Sequence, residues 1–297
     1  MSTKNSIQLL ILAALWGASF MFMRIAVPEF GAIVLIELRV LIAGLVLLPF
    51  WWVREGRKSK SEALKKWPHL LVIGALNSAI PFVLFAYSML YITGGMAATL
   101  NGTAPIWGAV VAWLWLGQRL SISAMIGLVI GLIGVVVLVS DDLSLSLNGK
   151  TLGVLACGLA AIMYGIAANY TAQKLTGLTP LTIATFTMFT SAVILMPLAV
   201  YFAPKVMPSL TAWYSVLALA IACTSFTYVI FFNLLAEAGS TKAISVTFLI
   251  PAFGAMWGAL FIGEELTLVM VVGMAIILTG TALVTGVMKL SAKTANP

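Results

Sequence analysis

The sequence predicts an all-α integral membrane protein, ten transmembrane helices arranged as two inverted five-helix repeats around a central cavity. Three observations predict it. Only 8% of the 297 residues are charged and 62% are hydrophobic, whereas a water-facing globule carries about 25% charged residues, so most of the outer surface must face lipid. Apolar runs of about 20 residues, enough to cross a ~30 Å hydrocarbon core as helix, recur along the whole chain; barrel strands would instead alternate polar and apolar residues over about ten positions. The backbone-directing residues of the first half recur in the second.

The predicted spans are 7–27, 32–53, 69–91, 95–117, 121–139, 151–173, 179–202, 211–237, 241–262 and 267–288. The first follows Lys4 and runs on for about 20 residues without an Ala-x-Ala site, so it reads as a retained span and not a cleaved leader. Pro28-Glu29 separates it from the second. The basic stretch 54–68, ending in Trp67-Pro68, precedes the third. Twelve of the sixteen Lys and Arg residues, from Lys4 through the 54–66 cluster to Lys293, fall at one set of span ends. Arg24, Lys150 and Lys205 fall at the other, with Asp141, Asp142, Glu264 and Glu265, and Arg39 lies within a span. Positive-inside bias then places both termini in the cytoplasm, and it explains the net charge of +7 without a nucleic-acid partner. Cys157 and Cys223 read as small packing residues within spans, and no metal-ligand spacing or cofactor motif is present.

An offset of 146 lays Phe85, Ala97, Pro105, Gly108, Ala109, Gly117, Leu120, Gly127 and Gly134 on Phe231, Ala243, Pro251, Gly254, Ala255, Gly263, Leu266, Gly273 and Gly280. An offset of 148 lays Trp16-Gly17 on Tyr164-Gly165 and Pro49 on Pro197. Shared Leu or Ala would mean little among apolar helices, but aligned Pro and Gly are backbone decisions. The repeats divide the single membrane domain at 1–148 and 149–297. Five spans is an odd number, so the second repeat enters the membrane in the opposite sense to the first, an arrangement common in alternating-access transporters.

The run from Ala97 to Leu120, with Pro105 and Gly117-Gln118-Arg119-Leu120, resembles the fourth helix of the drug/metabolite transporter superfamily in its EamA-type branch of metabolite exporters. The run from Ala243 to Leu266, with Pro251 and Gly263-Glu264-Glu265-Leu266, resembles that family's ninth helix. Trp16-Gly17 and Arg39-Val-Leu-Ile-Ala43 match it too. The resemblance covers essentially the whole chain and implies export of amino acids or related polar metabolites across a bacterial inner membrane. The family usually ends both helices in Gly-Glu; here the first copy reads Gly117-Gln118, and Glu264 alone keeps the acid.

Six residues are candidates for substrate binding: Trp16, Asn77, Asn101, Tyr164, Asn169 and Thr247. Trp16 and Tyr164 are repeat mates near mid-depth, where a polar-tipped ring needs a partner or a wet cavity. Asn101 and Thr247 are mates just before Pro105 and Pro251, which free carbonyls four residues earlier. Helix packing accounts for each of these residues as well as a cavity does. Pro81, Pro105 and Pro251 are the expected hinges. Charges within spans are costly and need partners or water. The Pro28-Glu29 hairpin brings Arg24 and Glu37 to similar depth, so these two are expected to pair; Arg39, Glu237 and Glu264 are the other structural or coupling charges. His69, at the start of the third span, is expected to be inert, and Gly127-x-x-x-Gly131 to pack helices, within the monomer or in a homodimer.

A secondary transporter of a small-molecule substrate is the leading reading. No Walker motif is present, so the chain does not itself couple transport to ATP. A lipid-modifying enzyme would need a nucleophile and base, or paired acids, at one depth; His69 and Asp141-Asp142 fall at opposite ends. A small-solute channel would show a charged ring or a filter loop. Cysteine labelling is expected to find residues 54–68 facing the cytoplasm and 141–150 facing outward; the opposite accessibility at either loop would contradict the inverted repeat.

Overall fold

The computed structural model describes residues 2–140, 148–239, 242–243 and 245–288, leaving aside the side chains of Arg57 and Lys58. Asp141, Asp142, Lys289 and Lys293 therefore lie outside the described residues. Every regular element among those described is helical. In chain order they are α1 (Thr3–Lys65), α2 (Trp67–Ile73), a π-helical stretch (Gly74–Ala79), α3 (Ile80–Ser88), α4 (Gly94–Asn101), α5 (Ala104–Leu116), α6 (Ile122–Val139) and α7 (Gly149–Lys174). There follow α8 (Pro180–Tyr201), α9 (Leu210–Leu217), a second π-helical stretch (Ala218–Phe226), α10 (Thr227–Ala238), a 3₁₀ turn (Ser245–Phe248), α11 (Ile250–Ile262) and α12 (Leu268–Val284). Six stretches are long and apolar enough to cross a membrane: Thr3–Gly56, Trp67–Ser88, Ile122–Val139, Gly149–Lys174, Pro180–Tyr201 and Leu210–Ala238. The first holds 54 residues, length for two crossings of a ~30 Å core.

Helix starts are set by short polar side chains. Ser2, Thr93, Ser121, Asn148, Thr179, Ser209 and Thr267 each accept from the backbone N–H three residues on, opening α1, α4, α6, α7, α8, α9 and α12. In hydrocarbon those first N–H groups would have no water to turn to.

Where the expected spans differ from the structure, the backbone explains it. The loop expected at Pro28-Glu29 is helical, and the turn falls instead at Gly31 (φ 71, ψ 159), with a second break at Gly56 (φ 61). The chain does reverse at Gly31. Lys4 bonds Glu237 and Arg54 bonds Asn233, so both limbs of α1 end on one face. The expected span 95–117 is two helices, interrupted at Gly102–Thr103, and Pro105 restarts helix at the first turn of α5. Pro251 does the same at the start of α11. Neither of these two is a kink inside a continuous helix; Pro81 does lie inside one, the stretch Trp67–Ser88, just after its π-helical turn.

The 146-residue offset is visible in the elements. Ala104–Leu116 maps onto Ile250–Ile262, both closed by a left-handed glycine, Gly117 (φ 65) and Gly263 (φ 68). The π-helical stretch 74–79 maps onto 220–225, inside the second one. Helix crossings correspond as well. A Cβ on Gly17 would lie 2.7 Å from Phe253 Cβ and 2.8 Å from Gly254 N, and one on Gly165 would lie 2.6 Å from Gly108 N. Thus α1 crosses α11 as α7 crosses α5, each half lending a helix to the other.

Helices α6 and α12 pack on each other at the edge of the bundle, and Gly127-x-x-x-Gly131 serves that contact within the chain. A Cβ on Gly280 would sit 2.6 Å from Gly127 O, against backbone that cannot yield; one on Gly131 meets first the end of the Ile106 side chain, which can. Gly280→Val is therefore expected to cost about 3 kcal/mol or more of stability and Gly131→Ala about 1 kcal/mol or less. Thermal unfolding in detergent checks the ranking; equal effects would contradict it.

Candidate functional site

Arg39 lies on the second limb of α1, only 6% exposed. Its guanidinium stacks 3.9 Å from the Phe82 ring centroid of α3. Nε donates to Thr224 Oγ1 at 3.0 Å, and one terminal nitrogen approaches Met23 Sδ at 3.9 Å. Thr224 is placed by the second π-helical stretch. Its hydroxyl donates to Leu219 O at 2.8 Å, and the Ser225 hydroxyl to Ala220 O at 3.0 Å, each five residues back. Those are the carbonyls that a π turn presents, and π turns gather at functional positions. Tyr164, Tyr228 and Cys223 lie within electrostatic range of the guanidinium. No carboxylate pairs with it among the described residues.

Trp16 and Tyr164 border this group. Trp16 Nε1 donates to Thr227 Oγ1 at 3.1 Å, and the Thr227 hydroxyl donates to Thr224 O at 2.8 Å. Tyr164 meets Phe85 at 5.8 Å between ring centroids, and Phe85 meets Phe20 at the same distance. Two residues of this group, Thr224 and Thr227, were not among the candidates. The signal was present in Thr224-Ser225-Phe226-Thr227, a polar run inside an apolar span.

The expected Arg24–Glu37 pair is not formed. Arg24 Nε instead pairs with Glu264 Oε1 at 3.1 Å, while one terminal nitrogen donates to Met89 O (2.8 Å) and Ile92 O (2.6 Å) in the turn after α3. Glu264 also accepts from Gly94 N at 2.9 and 3.0 Å and from Gly95 N at 3.5 Å. One carboxylate thus caps the N-terminus of α4, where orphan N–H groups favour negative charge, and holds a cation that gathers two carbonyls of the turn leading from α3 to α4. Gly263 makes this possible by turning left-handed, with Glu264 N returning to Gly258 O at 3.0 Å. Gly258 leaves the room that the carboxylate fills. Glu37 is 6% exposed, and neither of its oxygens finds a partner. It forms no ion pair with Arg39, two residues along the same helix.

Other candidates separate. Asn169 donates to Gly108 O and Gly165 O, both at 2.9 Å, so its amide is spent stitching the α7–α5 crossing; on the other crossing Trp257 Nε1 donates to Ala14 O. Asn101 ends α4 with a buried Oδ1 that has no partner. Asn77 is half-buried in the first π-helical stretch, and Thr247 half-buried in the 3₁₀ turn before Pro251. Glu237 pairs with Lys4 at 2.7 Å in an exposed contact, not with Lys242. His69 Nδ1 meets Tyr170 Oη at 2.8 Å.

The two ends of the bundle differ. On the face opposite the basic one, Glu264 seals α3, α4 and α11 together, and Glu29 accepts from Ser209 N and Oγ, joining α1 to α9. The Ser209 backbone N–H holds the Glu29 carboxyl below its ordinary value. On the basic face a cavity of about 300 Å³ is lined by Phe50, Arg54, Thr179, Val229, Phe232 and Asn233, and Phe232 stacks on Tyr228. Gln118, the repeat mate of Glu264, is exposed.

Arg24→Ala is expected to destabilise by about 3–5 kcal/mol, because it leaves the buried Glu264 carboxylate unmatched, and Glu264→Ala by less, because the Arg24 side chain is 34% exposed. Their combination should fall short of the sum by about 1–3 kcal/mol. Arg24→Ala with Glu37→Ala should instead add. A double-mutant cycle in detergent checks both, and coupling only in the second pair would contradict the geometry.

The model of the EamA-like transporter family matches this chain twice, over residues 4–140 and 151–286. An uncharacterized transporter of Bacillus subtilis, YvbV, is 24% identical over 284 residues, covering 95% of this chain and 92% of that protein. A probable terminal-alkyne amino-acid exporter of Streptantibioticus cattleyicolor is 23% identical over 282 residues, covering 93% and 91%. A solved crystal structure shares the fold with a TM-score of 0.66 at 18% identity, covering 97% of this chain and 98% of that one. With both halves matched, the chain belongs to the EamA-like transporter family.

Proposed function

We propose that the protein is a secondary transporter that exports amino acids or related small metabolites by alternating access. In this reading it has ten spans in two inverted repeats, 1–148 and 149–297, and sits in a bacterial inner membrane with both termini cytoplasmic. Membership of a transporter family and transporter-named relatives support the class, and the probable amino-acid exporter among them supports the substrate.

The observation that carries the mechanism is the inequality of the two ends. Inverted repeats can exchange conformations, so that the end sealed in one state opens in the other. The end held by Arg24, Glu264 and the start of α4 is the closed one here. The basic, cytoplasmic end opens into the 300 Å³ cavity, and there the mate of Glu264 is the neutral, exposed Gln118. An amide holds helix-terminal N–H groups less strongly than a carboxylate does, so the inward-open state is the resting one. The interruptions at Gly102–Thr103 and at the 3₁₀ turn before α11 lie where each repeat must flex.

Between the ends, Trp16, Asn77, Asn101, Tyr164 and Thr247 line the path in this reading, with the unpaired Asn101 Oδ1 offering an acceptor. Reconstituted protein is expected to show saturable, competable amino-acid flux, and its absence across all twenty amino acids would sink the proposal. Trp16→Ala and Tyr164→Ala should each weaken apparent affinity several-fold to tenfold, since aromatic contacts are worth about 0.5–1.5 kcal/mol beyond area burial. Asn101→Leu should be harsher, because a hydrogen-bonding group of the substrate is then left unpaired. Wild-type kinetics in all three variants would place the path elsewhere.

A further inference from the structure

We propose that Arg39 is the receptor for a carboxylate on the transported substrate, with Phe82 and Thr224 holding its guanidinium in place; this rests on the transport reading above. A guanidinium in the interior of a membrane protein is expensive and is ordinarily matched by an acid. Arg24 shows what a match looks like in this chain: one carboxylate and two carbonyls. Arg39 is more deeply buried, yet it has no acid. Of its five N–H donors, Nε goes to the Thr224 hydroxyl and one terminal N–H to the Met23 sulfur. The remaining terminal donors meet no acceptor among the described residues.

The acid that could have served, Glu37, stands two positions away on the same helix, points to a different side of it and forms no ion pair with Arg39. The unpaired cation lies where both halves meet: on the second limb of α1, against α3, the second π-helical stretch and Tyr164 of α7.

Stacking and the bond to Nε fix the plane of the fork from its back and its inner edge. That leaves the outer edge, a pair of parallel N–H groups, for a planar two-oxygen anion. The neighbours select what the anion is attached to. Phe82 stacks on the guanidinium, Tyr164 and Tyr228 lie within electrostatic range of it, and Phe85 packs on Tyr164, so the rest of the ligand is apolar or aromatic. A monocarboxylate with such a side chain, above all an amino acid, has this chemistry. The ligand also supplies the missing countercharge, so the site is best satisfied when loaded.

The test uses full-length protein, with the twenty L-amino acids and their carboxamides as probes. Two measurements are made: ligand-induced thermal stabilisation in detergent, and uptake into proteoliposomes. For wild type, at least one amino acid with an apolar or aromatic side chain is expected to bind at least tenfold more tightly than its carboxamide. Arg39→Gln should abolish that preference. Arg39→Lys, which keeps the charge and loses the fork, should weaken acid binding at least tenfold, and Thr224→Val should weaken it several-fold. A purely structural arginine would lower thermal stability in these variants and leave the acid-to-amide ratio of the surviving protein unchanged; that result overturns the proposal. If Arg39→Gln does not fold, Arg39→Lys and Thr224→Val decide it on the same ratio. Carboxamides bound as tightly as the acids, or no acid bound at all, also overturn it. Acid-selective binding without uptake would sustain the carboxylate site and remove the transport reading. Saturable uptake that ignores the carboxylate would do the reverse.

Discussion

Everything in this molecule follows from the absence of water around its spans. A backbone N–H or C=O in hydrocarbon must find its partner in the chain, and a charge must find a countercharge. Glu264 answers this demand most completely. Its two oxygens take the Gly94 N–H, the first of α4, at 2.9 and 3.0 Å, and one of them pairs with the Arg24 guanidinium, which in turn collects two carbonyls of the turn after α3. The start of α4, the turn after α3, a buried carboxylate and a partly buried guanidinium are satisfied at one point. The groups left unsatisfied at that end of the bundle meet there.

The same constraint accounts for the backbone irregularities. Helices break where a side chain or a restart can replace the lost bonds. Pro105 and Pro251 begin new helices, where the missing N–H costs nothing. The second π-helical stretch is held by hydroxyls of Thr224 and Ser225 reaching five residues back. This stretch then presents Thr224 to Arg39 and, through Thr227, receives Trp16. Tight crossings of backbone on backbone at Gly17–Gly254 and Gly165–Gly108 lock the halves together by close packing, the main adhesive between helices when lipid is as apolar as the side chains.

Much of this was legible in the sequence. The all-helical membrane class followed from composition and run length, and the aligned Gly117 and Gly263 do end equivalent helices in the left-handed conformation. Trp16 and Tyr164 do flank one group of polar side chains. The partner of Arg24 was not legible. Glu37 is near in depth, but Glu264 is brought close only by how the end of α11 docks on α4, 240 residues along the chain. Asn169 and Asn101 were both candidates for binding; only the structure shows that the amide of Asn169 is spent on the α7–α5 crossing while Asn101 carries an unpaired oxygen. The turn at Gly31 was placed at Pro28-Glu29 because proline is the louder signal, although it is the glycine that has the positive φ.

The central claim is that the Glu264 contact holds one end shut while the other stands open, and that the two ends exchange. Spin labels on cysteines replacing Leu90 and Leu266 report on the closed end; a second pair replacing Arg54 and Ala236 reports on the basic end. The account predicts that Glu264→Ala lengthens the 90–266 distance and shortens the 54–236 distance in the same molecules. Lengthening at the first pair with the second unchanged, or no change at either, would contradict it.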